Sequence, residues 1–243
     1  MKKLLIIGES ESKIKLADVE KFGIDEVRNL TMAEFNNTDN FDNSIIMKGL
    51  TETSDFMRRI LQINKNYGGG FISHCMILKR QDQAPFILTD TGLNISPSLK
   101  DKEGITKNAI SLARKVGLSA NPIVNFLTPS SKIVSNIKSS IDACYMENYV
   151  HENFPGIRTM HNAFDVCFTD SAKDKKIENA ARPDIMIVDD IDQGNALYKA
   201  LAIFGGFTAA GFVVGNDKLP PVVLTSRSDT LESKLWSIEL AAK

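Results

Sequence analysis

Residues 220–230, PPVVLTSRSDT, gather side chains suited to holding an anion. The apolar run Val222 to Leu224 stops abruptly. Ser226, Arg227, Ser228 and Asp229 follow before a new apolar pattern begins. Two readings fit. In one, Asp229 caps the last helix, and Glu232 three residues on completes a capping-box-like pattern. In the other, the loop seats a phosphate or a developing oxyanion. The N–H groups and partial positive charge of a helix N-terminus attract it, Arg227 adds a permanent charge in a planar fork, and Ser226 and Ser228 add hydroxyl donors. The readings are compatible, because a cap can orient a loop that binds an anion.

Such a loop needs a scaffold, and the chain is long enough to build one. Its 243 residues suffice for one large domain or two small ones. Hydrophobic residues make 43% and charged residues 24%, the profile of a soluble globular protein. Lys+Arg 29 against Asp+Glu 30 leaves no net field, so charge offers no argument for nucleic acid or an anionic membrane, and neither is expected as a partner. No apolar run approaches a membrane span. The opening MKKLLIIGES reads as a first strand rather than a signal peptide. Cys75, Cys144 and Cys167 are odd in number and show no zinc spacing. A reduced, cytoplasmic protein is the expectation.

Apolar bursts alternate with helical patterns. Strands are predicted at Leu4 to Ile7, Pro122 to Leu127, Asp184 to Val188, Phe207 to Gly215 and Val222 to Leu224, with a hairpin of Phe71 to Leu78 and Phe86 to Thr89. Helices are predicted from Leu50 to Ile63, along the stripe Ile105, Ala109, Leu112 and Val116, and over residues 132–149. Two more follow. One runs from Gln193 to Phe204 with Leu197, Leu201 and Phe204 on one face, and the last carries Leu231, Leu235, Ile238 and Ala242. Tyr149 to Ala181 reads as loops with a short strand. Strands alternating with helices predict an α/β protein with a largely parallel sheet, in which ligands sit at strand carboxyl ends. Ser226 to Asp229 lies at such an end.

The stretch PPVVLTSRSDTLESKLWSIELA resembles the C-terminal signature of the phosphate acetyl/butyryl transferase family. The closer likeness is to the butyryl branch, which carries V-V-L-T-S-R, then Ala or Ser, then D-S, and a helix with K-x-x-S-I-x-L-A. Three further stretches agree in the same order. ARPDIMIVDDIDQGNALYKAL resembles A-D-I-L-L-V-P-D-I-E-A-G-N-M-L-Y-K-A-L. FILTDTGLNISPSL resembles L-L-L-T-D-A-A-V-N-I-A-P-D-L. IIMKGLTETSDFMRRIL resembles M-K-G-L-I-x-T-S-x-L-L-R-A-V-L. Four collinear motifs are far more specific than one loop.

The resemblance implies a two-domain α/β fold like that of isocitrate and isopropylmalate dehydrogenases, with a cleft between the domains. Residues 1–104 with 220–243 would form the first domain and 105–219 the second. The implied reaction is reversible transfer of a short-chain acyl group, butyryl or branched-chain, between CoA and inorganic phosphate. CoA and phosphate are then substrates, with no permanently bound cofactor, no metal, and a homodimer as the assembly. By the same resemblance, Ser226 contacts the reacting carbonyl or leaving group and Arg227 binds phosphate or CoA. No covalent acyl-enzyme is required, since CoA itself is the nucleophile, but a base for its thiol would help. The acetyl branch has an aspartate seven residues after the serine; here that position is Ser233, which leaves Asp229 and Glu232 as candidates. The family's opening strand-helix unit before L-L-I-I-G has no counterpart. Its G-P-L-A-x-D-N-A appears only as HNAFDVCFTD, with Asp165 retained and Val166 in place of asparagine. A catalytically degenerate member that binds CoA or acyl phosphate is the alternative these departures motivate.

Other residues carry paired readings. Lys48, in MKGL, either holds a CoA phosphate or is a solvated lysine. Asp90 and Asn94 line the cleft or make a local turn. Gly194 and Asn195 approach a ligand or start a helix. His74 either serves catalysis or is a partly buried structural histidine, the second being the expectation. Cys144 and Cys167 are expected to be core filler, and at least one of Arg58 and Arg59 solvent-facing. His151 and His161 form no metal spacing, and Gly68 to Gly70 match no phosphate loop. Asp189, Asp190 and Asp192 could mimic the metal-binding aspartates of a decarboxylating dehydrogenase on the same fold.

Overall fold

A computed structural model describes residues 1–8, 13–81, 83–170, 181–226 and 229–243. In chain order its elements are β1 (Lys3–Ile7), α1 (Leu16–Val19) with a 3-10 turn (Glu20–Phe22), β2 (Glu26–Leu30), α2 (Met32–Asn36), β3 (Ser44–Lys48), α3 (Thr53–Asn66), β4 (Ser73–Arg80) and β5 (Gln83–Thr89). Then come α4 (Leu99–Lys115), β6 (Val124–Leu127), α5 (Lys138–Asn153), β7 (Thr159–Asn162), α6 (Phe164–Phe168), β8 (Ile185–Ile187), α7 (Ile191–Ile203), β9 (Thr208–Val214), β10 (Val222–Val223) and α8 (Leu231–Ala241). The chain divides into two compact units: Met1–His74 with Thr208–Lys243, and Cys75–Phe207.

In the first unit the strands run in the order β2-β1-β3-β10-β9. The first four are parallel, with Ile7 opposite both Leu30 and Lys48 and Val223 opposite Met47, so their carboxyl ends share one edge. β9 runs antiparallel to β10, with Phe212 opposite Val223. Burial on both faces explains the unbroken apolar runs LLII and SIIM. Beneath them Phe35 stacks on Phe56 at 5.9 Å and meets the edge of Phe41 at 5.7 Å. The sequence reading assigned no element between Gly8 and Leu50, where β2 and β3 lie. β2 is half-exposed along most of its length, so its apolar signal is weak.

The second unit orders its strands β4-β5-β8-β6-β7. β4 and β5 form the expected hairpin. β5, β8, β6 and β7 are parallel, so the residues after Thr89, Ile187, Leu127 and Asn162 leave the sheet on one edge. α4 starts at a capping box in which the Ser98 hydroxyl accepts the Asp101 N–H at 3.2 Å and the Asp101 carboxylate accepts the Ser98 N–H at 2.9 Å.

Several expectations are corrected. α5 starts at Lys138 rather than at 132 and continues to Asn153, past Tyr149. α7 buries Gly194 and Tyr198 rather than the Leu197, Leu201 and Phe204 stripe, and Phe204 is 89% exposed. α8 buries Ser233, Ser237, Ile238, Leu240 and Ala241, while Leu231 faces solvent. Cys144 is exposed, whereas Cys167 is buried as expected. No described helix is long and apolar enough to cross a membrane.

Candidate functional site

At the carboxyl edge of the first unit, β10 passes through Leu224 and Thr225 into Ser226, and two backbone groups of Leu224 are held. Its N–H donates to Gly211 O at 2.9 Å, and its carbonyl lies 3.1 Å from His74 Nε2. Ser226 is braced in turn. Its N–H donates to the Asp229 carboxylate at 2.7 Å, and its carbonyl accepts the Asp229 N–H at 3.1 Å. Arg227 and Ser228, the centre of the expected anion seat, lie outside the described residues.

The expected cap is corrected here. Asp229 braces Ser226, and Thr230 is the N-cap of α8, its hydroxyl accepting the Ser233 N–H at 3.1 Å. Ser233, in place of an acidic residue, can anchor the helix: its hydroxyl accepts the Ala209 N–H at 3.3 Å. Glu232 sits exposed in the first turn and accepts the Thr208 hydroxyl at 3.3 Å.

Lys48 ends β3 at the same edge. It is not a solvated lysine: it is only 4% exposed, and its ammonium donates to Gly49 O at 3.1 Å. Beside it the chain leaves β1 through Gly8. A side chain there would meet Thr51 Cβ at 2.5 Å, and φ is +93°, a combination that only glycine meets without strain.

In the second unit, Asp90 follows β5 and is 2% exposed. One carboxylate oxygen accepts the N–H groups of Gly92 and Leu93, each at 2.8 Å, and the other accepts the Asn94 amide at 2.6 Å. Asp90 and Asn94 thus build the turn. Gly194 packs on it so closely that a Cβ would lie 2.1 Å from Asp90 O. Asn195 adds a bond from its amide to Thr91 O at 3.0 Å. The structure therefore brings Asp90, Asn94, Gly194 and Asn195 into one packed group. Asp165 sits exposed in the first turn of α6. Nearby, burial and then the Asp165 charge push the Cys167 thiol up to about 12, so that thiol stays protonated at neutral pH.

The three aspartates after β8 have separate tasks. The Asp189 carboxylate accepts bonds from Lys102 and Lys138, Asp190 caps α7 through the Gln193 N–H at 2.8 Å, and Asp192 sits in the first turn. Lys102 also donates to Asp142 at 2.7 Å while only 3% exposed. The sequence reading passed over this lysine. Its position three residues before Ile105, on the buried stripe of α4, was the available signal.

The sequence profile described as Phosphate acetyl/butaryl transferase matches residues 26–242. The chain is 30% identical to a phosphate butyryltransferase of Clostridium beijerinckii, covering 97% of this chain and 80% of that protein. It is 31% identical to a phosphate acetyltransferase of Thermotoga maritima, covering 81% and 68%. Among solved structures, a branched-chain phosphotransacylase from Enterococcus faecalis superposes with a TM-score of 0.79 at 25% identity, covering 99% of this chain and 98% of that one. A 4-hydroxythreonine-4-phosphate dehydrogenase from Klebsiella pneumoniae shares the fold, with a TM-score of 0.54 at 12% identity, covering 99% and 81%.

Proposed function

The chain belongs to the phosphate acetyl/butyryl transferase family of acyltransferases, and we propose that it moves a butyryl or branched-chain acyl group reversibly between CoA and inorganic phosphate. The observation that carries this reading is the braced Ser226 at the carboxyl edge of the first unit, where the family signature ends its strand. A phosphate oxygen attacks the thioester carbon, the C–O bond forms, the C–S bond breaks, and CoA leaves as thiolate. In reverse, the thiolate attacks the acyl phosphate and phosphate departs. Both directions place negative charge on the carbonyl oxygen, where donors fixed in advance contribute most.

Ser226 and Arg227 supply those donors, with Ser228 beside them. Asp229 holds Ser226 in place, one of its carboxylate oxygens being committed to the Ser226 N–H. Glu232 exchanges the proton of the CoA thiol. Lys48 is the residue for a CoA phosphate. Asp90, Asn94, Gly194, Asn195 and Asp165 are the residues proposed for substrate binding within the second unit. A cytoplasmic homodimer completes the reading; three cysteines without zinc spacing fit a reducing compartment.

The test is CoA release from butyryl-CoA, followed with a thiol reagent with and without phosphate, on the wild type and on Arg227→Ala. Phosphate-dependent release that collapses in the variant supports the transferase. CoA binding without release from butyryl-, isobutyryl- or acetyl-CoA overturns it in favour of a degenerate binding protein.

A further inference from the structure

We propose that His74 is a positioning residue for the loop that carries Ser226. The inference rests on the transferase reading for its catalytic consequence but not for its structural one. His74 sits in β4 and is 7% exposed, as is Leu224. Its Nε2 lies 3.1 Å from the Leu224 carbonyl oxygen, 150 positions further along the chain. A carbonyl oxygen can only accept, so Nε2 carries the proton.

The bond matters because of where Leu224 stands. Val223 is the last residue of β10, and the ladder to β9 continues one step further, through the Leu224 N–H to Gly211 O. Beyond that the chain turns into the signature loop. The Leu224 carbonyl belongs to the peptide unit joining Leu224 to Thr225, so fixing it sets the direction in which the chain leaves the sheet. Without the donor, a buried carbonyl loses its His74 partner. That is costly, and the group escapes by rotating toward water. Such a rotation moves Ser226 and loosens its brace to Asp229. A misplacement of the reacting groups by about 1 Å, even when caused by a change far from them, can lower turnover by about 100-fold.

The test compares His74→Leu, which has no donor, with His74→Gln, whose amide nitrogen reaches where Nε2 was, and with His74→Asn, whose amide is too short. Two readouts are taken: steady-state kinetics with butyryl-CoA and phosphate, and amide hydrogen exchange over residues 224–230. His74→Leu and His74→Asn are expected to lower kcat on the order of tenfold or more with KM for butyryl-CoA within about twofold. Both should speed exchange in the loop, and His74→Gln should restore kcat and protection together. Should His74→Leu fail to fold, His74→Asn replaces it. The proposal is overturned if Leu and Asn keep wild-type exchange and kcat, or if Gln is impaired as much as Leu. A wild type that shows no phosphate-dependent release defeats the transferase reading alone, because loop exchange still decides the role of His74.

Discussion

The Cβ that Gly194 lacks would lie 2.1 Å from the carbonyl oxygen of Asp90. That approach lets the first turn of α7 rest on the turn after β5, where Asp90 binds the N–H groups of Gly92 and Leu93 and the amide of Asn94. A methyl group at 194 would run into the Asp90 backbone, which cannot swing aside as a flexible side chain can, and would also meet Val188 Cγ2 at 3.0 Å. Gly194→Ala is therefore expected to cost at least about 1–3 kcal/mol, the range for overpacking. It should also raise KM through displacement of the Asp90 turn. Urea midpoints and steady-state kinetics check both, with the exposed Lys199→Ala on the same helix as control, expected within about 0.5 kcal/mol of wild type. A Gly194→Ala variant as stable and active as the control would show that the close approach is dispensable.

The adjacent residues Asp229 and Thr230 separate by the same kind of measurement. Thr230→Ala removes the α8 cap and is expected to cost about 1 kcal/mol with kcat retained. Asp229→Ala removes a charged acceptor from the Ser226 N–H, a bond worth about 1.5–3 kcal/mol, and should lower kcat because Ser226 shifts. Asp229→Asn keeps an acceptor and should fall between. Equal kinetics for all three would mean that the brace does not govern Ser226.

Glu232 carries the proton-transfer prediction. Glu232→Gln keeps the size and the acceptor for the Thr208 hydroxyl but cannot take a proton. The expected loss is about 100-fold in kcat, the low end for general base catalysis. Both directions should fall together, since they share a transition state. Stability should change by less than about 0.5 kcal/mol, as the residue is exposed. Unchanged turnover would remove Glu232 from the mechanism.

Much of this architecture is legible in the sequence because the relevant signals are local. LLII and VVLT read as buried strands, and the loop after Leu224 stands out where apolar residues give way to polar ones. What escaped depends on packing. Leu197, Leu201 and Phe204 form an apolar stripe, yet α7 turns Gly194 and Tyr198 inward. A glycine chosen for close approach leaves no hydrophobic mark. Ser233 and Ser237 are buried in α8 because their hydroxyls find partners, Ala209 N–H for one and the Ser233 carbonyl for the other. Asp229 looked like a cap by its spacing to Glu232, but Thr230 one position later has the geometry. The bond from His74 to Leu224 joins residues far apart in the chain, and no spacing rule could show it.

Lys102, Lys138, Asp142 and Asp189 give the fold a measurable acid sensitivity. Lys102 and Lys138 donate to the same Asp142 oxygen at 2.7 and 2.5 Å. Burial alone would raise the Asp142 carboxyl, but the bonds from the two lysines outweigh it and hold it below the usual carboxylate range. A carboxylate with a lowered folded pKa stabilises fully above its unfolded value, about 3.9, and the contribution is lost as pH falls through the folded value. Asp142→Asn is expected to cost about 3 kcal/mol at neutral pH, the lower end for removing one partner of a buried pair, since Asp189 still faces both lysines. From about pH 3.9 downward the gap should narrow, because the unfolded carboxyl takes up its proton first, and it closes only below the lowered folded value. Urea unfolding of both from about pH 7 to about pH 3 reads this directly. A gap that stays constant across that range would mean that the charge on Asp142 contributes nothing to folding, and that the lysines are held by Asp189 alone.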